Sequence, residues 1–581
     1  MKPFIQINNV TFSYKDGLTK KEADLSDITL SIEAGEFVAL IGQNGSGKST
    51  LGKLLNALLL PLVGDIFVEG KNTKEEANHP DIRAQVGMIF QKPQDQIVAS
   101  IVEEEVAFGP ANLGLPPDEI GKRVAESLAV CGLSNFRSRL TYQLSAGETQ
   151  RVALAGVLAM RPKCVIFDET TAMLDPAGRR MVMEQVKKLH GAGITVIFIT
   201  HLMEEAVQAE RILVLHQGCL VMDGRPEQVF LSRSQLKKFG LDLPSAVLAS
   251  NSLRNFFKSL PENLLFEQDL LHELQKYPFM GEMKPSEDAR SSPPNDMSID
   301  VNELGHVYMR GTPLAHSALK NCSLRVGKKT TYGLVGSTGS GKSTLLQHLN
   351  GLLKPQTGTI RVLDFDLNDP NVDLIQLRQS VGLVFQQPED QLFEQYVGDE
   401  IAYAVRNFGV PGKISEIVFE AMQSVGLDFD TFKDRLTITL SGGECRKVAL
   451  ASVIAAQPKI LLLDEPLAGL DPQSRADIAA YLAEIKKSGK TLLISTHQFE
   501  DMMDLLDEIS ILSDGHDLSH GKPGDVFSEE HVLSKTGVEP PLIVKIVLLL
   551  REMNWPISKE IVTLPALERV LSSIINPGDR G

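Results

Sequence analysis

Two copies of one loop restrict what this chain can fold into more than any other feature of its sequence. Gly42-Gln43-Asn44-Gly45-Ser46-Gly47-Lys48-Ser49-Thr50 and Gly336-Ser337-Thr338-Gly339-Ser340-Gly341-Lys342-Ser343-Thr344 both satisfy G-x-x-x-x-G-K-[ST]. Each follows an apolar, strand-like run (37–41 and 332–335) and leads into a helical pattern, Leu51, Leu54, Leu55 and Leu58 or Leu345, Leu346 and Leu349. A strand, a glycine-rich turn and a helix in that order form the context in which the motif cradles phosphate. Glycines let consecutive backbone N–H groups converge on an anion, and the helix N-terminus adds partial positive charge there. Lys48 and Lys342 are expected to reach the β- and γ-phosphates of a nucleotide, and Ser49 and Ser343 to ligate Mg²⁺. Gly42, Asn44, Gly45, Gly47 and Thr50 complete one expected cradle; Gly336, Thr338, Gly339, Gly341 and Thr344 complete the other. An incidental lysine after a Gly/Ser turn could satisfy the motif once, but hardly twice in the same context.

The repeat extends well beyond the loop. Lys48 and Lys342 are 294 positions apart, Gln91 and Gln386 are 295 apart, and Asp168 and His201 are each 296 from Asp464 and His497. So constant an offset marks one module copied with almost no net insertion. The expected organisation is a first module over 1–235 with a C-terminal extension at 236–280, a linker at 281–297, a second module over 298–530 and its extension at 531–581. The linker is expected from its Pro, Ser and charged residues and its lack of large apolar ones. A length of 581 residues is too great for a single core. The formal charge of −16 argues against nucleic acid as a partner, because phosphate backbones need clustered Lys and Arg. The five cysteines show no metal-ligand spacing, which suits a reducing compartment. No apolar run approaches the roughly 20 residues of a membrane span, and no secretory leader is evident at the N-terminus.

Further pairs follow in chain order. Tyr14 and Tyr308 end strand-like stretches and could either stack on adenine or pack against their own sheet edge. Gln91 and Gln386 end buried strand patterns, from where a glutamine can reach a metal or water. Ser100-Ile101-Val102-Glu103 matches a capping box. Leu144-Ser145-Ala146-Gly147-Glu148 and Leu440-Ser441-Gly442-Gly443-Glu444 each open a helix, where Ser145 and Gly147, or Ser441 and Gly443, suit either a phosphate contact or a plain N-cap. Two apolar strands then end in paired carboxylates, Asp168-Glu169 and Asp464-Glu465. Acids at the end of a buried strand need compensation, so Asp168 and Asp464 are expected at Mg²⁺ with Gln91 and Gln386, and Glu169 and Glu465 at the attacking water. Another strand delivers His201 and His497 at repeated positions.

Together these residues resemble the ATP-binding-cassette (ABC) ATPase family, over roughly 230 residues of each half. The resemblance implies an α/β fold of tandem P-loop NTPase modules, each with a RecA-like core, a helical subdomain and a small C-terminal extension. It implies ATP and Mg²⁺ as ligands and Glu169, His201, Glu465 and His497 as catalytic residues. It also implies that the two modules pair within the chain, so that Lys48, Glu169 and His201 work with Ser441 and Gly443, and Lys342, Glu465 and His497 with Ser145 and Gly147. Ala146 replaces the first signature glycine and Thr170-Thr171-Ala172-Met173 departs from the family-like Pro466-Leu467-Ala468-Gly469. The site using Lys342 and Ser145 is therefore expected to be the weaker.

Within the family, Gln386-Gln387-Pro388-Glu389-Asp390-Gln391-Leu392-Phe393 and Gln91-Lys92-Pro93-Gln94-Asp95-Gln96 are similar to the ATPases of energy-coupling-factor (ECF) importers. That likeness implies a motor subunit on the cytoplasmic face of the cell membrane, a membrane scaffold (T-type) subunit received near Asp95, Glu389 and Asp390, and a substrate-binding (S-type) membrane subunit. A two-module ATPase of sugar importers and a translation-factor ABC ATPase are the alternatives. The first would have degenerate catalytic residues in one half, and the second a long charged helix and a basic surface.

Overall fold

The computed structural model describes residues 3–14, 24–172, 174–279, 296–312, 314–497 and 499–575. The expected linker up to residue 295, Met173 and residues 576–581 lie outside them. The chain forms two compact units, Met1–Asn251 with Pro261–Leu270, and Ser252–Leu260 with Leu271–Gly581. Residues 236–280 are thus shared between the units. In the second unit the Trp555 indole N–H donates to the Tyr277 carbonyl at 2.8 Å, and Phe257 packs edge-on against the same ring at 5.4 Å.

In the first unit the central sheet has six strands in the order Cys219–Gly224, Arg211–His216, Phe37–Gly42, Thr195–Ile199, Cys164–Asp168 and Val86–Ile89. All neighbours are parallel except the first pair. Every residue of Phe37–Gly42, Cys164–Asp168 and Thr195–Ile199 is buried, which is why these segments read as unbroken apolar runs. Successive side chains still alternate between faces. Ala39, Ile41, Phe167 and Phe198 join one core with Val106, Leu128 and Val152 of the helices Val102–Asn112, Pro117–Val130 and Ala146–Ala159. Val38, Leu40, Ile166 and Ile197 join a second core beneath a four-stranded antiparallel sheet, Leu25–Ile32, Ile5–Phe12, Val63–Val68 and Lys71–Asn72.

The second unit repeats this layout. Its six-stranded sheet runs Val381–Val384, Ile460–Asp464, Thr491–Thr496, Thr331–Val335, Glu508–Ser513 and His516–Gly521, with a four-stranded antiparallel sheet alongside. In both units the phosphate-loop strand is two places from the strand ending in paired carboxylates, and the strand ending in Thr-His lies between them. The carboxyl ends of adjacent parallel strands therefore converge on one edge, the place where open α/β sheets hold ligands.

The capping box expected at Ser100 to Glu103 does not form. The helix Val102–Asn112 has Ile101 as its N-cap, with no side-chain cap. Backbone carbonyls of Arg139 and Arg137 accept from the N–H groups of Val102 and Glu103 at 3.0 Å each, and the Glu103 carboxylate pairs with the Arg137 guanidinium. Tertiary partners satisfy the donors that the local box would have served.

Candidate nucleotide site

Each phosphate loop passes from its strand into a short helix, Lys48–Leu55 or Lys342–Leu349, through a glycine with left-handed backbone: φ is 97° at Gly47 and 103° at Gly341. Gly42 is required for a second reason. A Cβ there would stand 2.4 Å from the Leu215 carbonyl oxygen and 2.5 Å from Ser46 Oγ. The Lys48 ammonium is buried and curls back under the loop, donating to the Gly42 and Gln43 carbonyls at 2.9 and 3.0 Å. Lys342 donates equivalently to Gly336 and Ser337 at 2.8 and 2.9 Å. The hydroxyls of Ser46 and Ser340 are buried within the loops and have no hydrogen-bond partner. Asn44, Gly45, Thr338 and Gly339 form the exposed crests.

The carboxylates arrive from the neighbouring strand. Ser49 Oγ donates to Asp168 Oδ1 at 2.8 Å. Burial pushes the Asp168 carboxyl up to about 6, with adjacent Glu169 adding to the rise and Ser49 and Lys48 only partly offsetting it. Burial likewise raises Asp464, opposed by the hydroxyls of Ser343 and Ser495. Charge at these two positions is therefore under-compensated, and a hydroxyl with a carboxylate is a hard-oxygen donor pair of the kind Mg²⁺ takes. Among the described residues no group of three or more His, Cys, Asp or Glu side chains could hold a metal unaided. Phosphate oxygens would have to complete such a shell.

Glu169 and Glu465 each have φ of 48°, a left-handed conformation that costs an L-residue roughly 1–2 kcal/mol. The turn aims each carboxylate back toward the loop. Glu169 Oε1 lies 3.4 Å from the Lys48 ammonium, Glu169 Oε2 accepts from the Gln91 amide at 2.9 Å, and His201 Nδ1 stands 3.8 Å from Oε2. Burial works against the Glu169 charge, but His201 and Lys48 outweigh it and hold the carboxyl down at about 2. Around Glu465 the balance differs: His497 Nδ1 approaches Oε2 to 2.5 Å, while Lys342 stays 3.9 Å from Oε1.

Tyr14 and Tyr308 stand beside the same loops. Their hydroxyls meet the Thr50 and Thr344 hydroxyls at 3.4 and 3.2 Å, and the rings are 58% and 37% exposed. Each ring also packs edge-on against its own sheet, Tyr14 on Phe12 at 5.0 Å and Tyr308 on His306 at 4.5 Å, so sheet-edge packing and an exposed face beside the loop occur together. Ser145 and Ser441 are not in these clusters. Each is exposed at the N-terminus of its own helix, Ala146–Ala159 or Gly442–Ala455, and forms a full capping box with Glu148 or Glu444. Gly147 and Gly443 lie in the first turns of those helices.

One residue near the second site escaped the sequence reading. Arg446 is buried and joins the carbonyls of Glu465 and Gln386. Only a break in the repeat marks it, since Gln150 occupies the equivalent place in the first module.

A family model described as ABC transporter matches residues 25–172 and 319–468. A protein of Caldanaerobacter subterraneus subsp. tengcongensis, provisionally named as an ABC transporter ATP-binding protein, is 32% identical over 558 residues, covering 93% of this chain and 95% of the relative. A similarly named Methanosarcina mazei protein is 32% identical over 95% of each chain. The energy-coupling factor transporter ATP-binding protein EcfA1 of the same Caldanaerobacter is 48% identical over 268 residues, which is 46% of this chain and 97% of that one. Two phosphate loops, two sets of convergent strand-end carboxylates and a relative matched along nearly its whole length agree: this chain belongs to the ABC transporter family, as an ATP-hydrolysing protein with two ABC ATPase modules in tandem.

Proposed function

We propose that this chain is the motor subunit of an ECF-type importer, coupling ATP binding and hydrolysis to uptake of a micronutrient such as a vitamin, a vitamin precursor or a metal ion. The observation that carries the reading is the turn after Gln386, with Glu389 and Asp390, and its counterpart after Gln91, where Asp95 is the one acid, together with the 48% identity to an EcfA1 subunit over 46% of the chain. The turns Pro93–Asp95 and Pro388–Asp390 are single helical turns, each held by a glutamine whose side-chain oxygen accepts from the preceding strand: Gln96 from Phe90 N–H and Gln391 from Phe385 N–H, both at 3.2 Å. Beside them Val98 and Phe393 are 69% and 62% exposed. An exposed apolar side chain next to acidic ones suits a membrane subunit presenting a short amphipathic basic helix. Among the described residues no helix is long and apolar enough to cross a membrane, so the pore in this reading belongs to T-type and S-type partners.

In the catalytic step, Glu169 or Glu465 accepts a hydrogen bond from water and takes its proton as the oxygen attacks the γ-phosphorus. The β–γ bridging oxygen leaves with ADP, giving ADP and phosphate. Lys48 and Lys342 exchange their loop-carbonyl bonds for phosphate oxygens. His201 and His497 orient the glutamates. Ser49, Gln91 and Asp168, and Ser343, Gln386 and Asp464, would hold Mg²⁺, which would supply charge neutralisation at the phosphates. Following the family resemblance, Ser441 with Gly443 and Ser145 with Gly147 complete the opposite module's site. Swinging a closed state from 1:99 to 99:1 takes about 5.5 kcal/mol of differential ATP binding, so each of two sites would supply roughly half.

The test is to tag the chain, solubilise membranes of its native host in mild detergent and identify what co-purifies. A scaffold subunit with a small hydrophobic partner is the expected result. Ribosomal proteins, or ATPase activity with no membrane partner, would overturn the importer reading while leaving the ATPase intact.

A further inference from the structure

We propose that Arg446 is a positioning residue of the second module, tying the backbone of Glu465 and of Gln386 to the helix Gly442–Ala455. The inference rests on the reading of Glu465 as the residue at the attacking water. The Arg446 Nη1 group donates to the Glu465 carbonyl at 2.8 Å and Nη2 donates to the Gln386 carbonyl at 2.9 Å, with the side chain 5% exposed. One planar guanidinium thus fixes two backbone points, one at the end of the strand Ile460–Asp464 and one at the mouth of the acidic turn. A third element, the helix that begins at Ser441, holds it in place. The fork geometry matters: two donors diverging from one rigid group set the separation of their acceptors, which a lysine ammonium cannot do.

Several observations separate this from ordinary packing. Burial lowers the Arg446 pKa, and its hydrogen-bond acceptors are carbonyls, with the Glu389 and Glu465 charges offsetting the penalty only at longer range. A buried charge is weak evidence for stability, since an apolar side chain of like volume often serves the fold as well or better. The Glu465 backbone that Arg446 grips is the left-handed turn with φ of 48°, where a rotation re-aims the carboxylate; its N–H is held by the Ser495 carbonyl and hydroxyl, and Arg446 holds its carbonyl. The first module solves the same problem otherwise. Its equivalent, Gln150, is also buried and lines a small cavity with Cys131, Phe167 and Gln185. There the strand-end glutamine acts directly, the Gln91 amide donating to the Glu169 carboxylate at 2.9 Å. In the second module the link from turn to glutamate runs through the backbone carbonyls and Arg446. Displacement of the turn at Gln386 therefore reaches Glu465 through Arg446 in addition to the parallel pairing of the strands Val381–Val384 and Ile460–Asp464.

The test compares Arg446→Met, Arg446→Lys and Glu465→Gln in the full chain, measuring kcat and KM for ATP with thermal stability alongside. Arg446→Met is expected to keep the wild-type melting temperature or exceed it, to hold the ATP KM within about twofold, and to lower kcat to within about twofold of the Glu465→Gln level. Arg446→Lys should fall between Arg446→Met and wild type. Wild-type kcat in Arg446→Met, beside a clear loss in Glu465→Gln, would overturn the positioning role. So would a kcat loss in Arg446→Met that tracks a fall in melting temperature and a rise in KM, because that is what a purely structural arginine gives. Wild-type kcat in Glu465→Gln would instead refute the assignment of Glu465, and the two failures are distinguishable.

Discussion

Alanine substitutions at the two left-handed glycines of the phosphate loop should have unequal costs, and the structure sets the ratio. Gly45 has φ of 76°, and a Cβ there would meet nothing within 4 Å. Gly47 has φ of 97°, and its Cβ would lie 2.5 Å from Leu25 Cδ2 and 2.9 Å from the Asp24 carbonyl oxygen. Both variants pay the left-handed penalty of roughly 1–2 kcal/mol. Only Gly47→Ala adds overpacking, typically about 1–3 kcal/mol, and against backbone that cannot swing aside. Totals are then about 1–2 kcal/mol for Gly45→Ala and about 2–5 kcal/mol for Gly47→Ala. For a unit of this size a kcal/mol moves the melting temperature by roughly 2–4 °C, so Gly47→Ala should fall by roughly 4–20 °C and Gly45→Ala by roughly 2–8 °C. The assay is thermal unfolding of the nucleotide-free chain followed by a probe in the first unit. The repeat provides an internal control. Gly339 also faces open space, whereas a Cβ at Gly341 would meet the Ala318 carbonyl oxygen at 2.6 Å and Leu319 Cδ2 at 2.8 Å. Equal losses within either pair, or a larger loss at Gly45 or Gly339, would refute the packing argument.

Other outcomes follow from the same geometry. Tyr14→Ala and Tyr308→Ala should each weaken ATP binding at their site by roughly 1–3 kcal/mol, and the Phe variants should retain most of it; Phe variants as weak as Ala would move the effect to the Thr50 and Thr344 contacts. Glu205 is buried, accepts from the Thr171 and Thr200 hydroxyls at 2.9 and 2.6 Å, and has its pKa raised by burial. A carboxyl raised in the folded state contributes stability fully below its unfolded pKa and loses it as pH rises through the folded value. Glu205→Gln should therefore be more stable than wild type at pH 8, with the advantage shrinking as pH falls toward 4.5; a pH-independent difference in denaturant midpoint would contradict this. Glu169→Gln and Glu465→Gln should reduce steady-state ATP turnover unequally, since the two glutamates are held by different partners and Ala146 breaks one signature; equal losses would show the sites to be equivalent.

The sequence by itself determined the duplication, the nucleotide chemistry and the α/β class. The reason is locality: a phosphate loop is a run of backbone N–H groups whose geometry is written in adjacent glycines, and the strands Phe37–Gly42 and Cys164–Asp168 are buried on both faces, which shows as unbroken apolar sequence. The paired carboxylates were legible because each sits at the end of such a run. Tertiary structure decided how those pieces meet. Strand order placed Thr195–Ile199 between the other two, which brings His201 to Glu169 across a separation that no local pattern encodes. It replaced the expected cap at Ser100 with the carbonyls of Arg137 and Arg139. It also made modules that share the same motifs differ, with the histidine at 3.8 Å in one and 2.5 Å in the other, and with Gln91 bonding Glu169 where Arg446 bridges two carbonyls in the second. Differences of an ångström depend on how whole layers pack, which no local motif encodes.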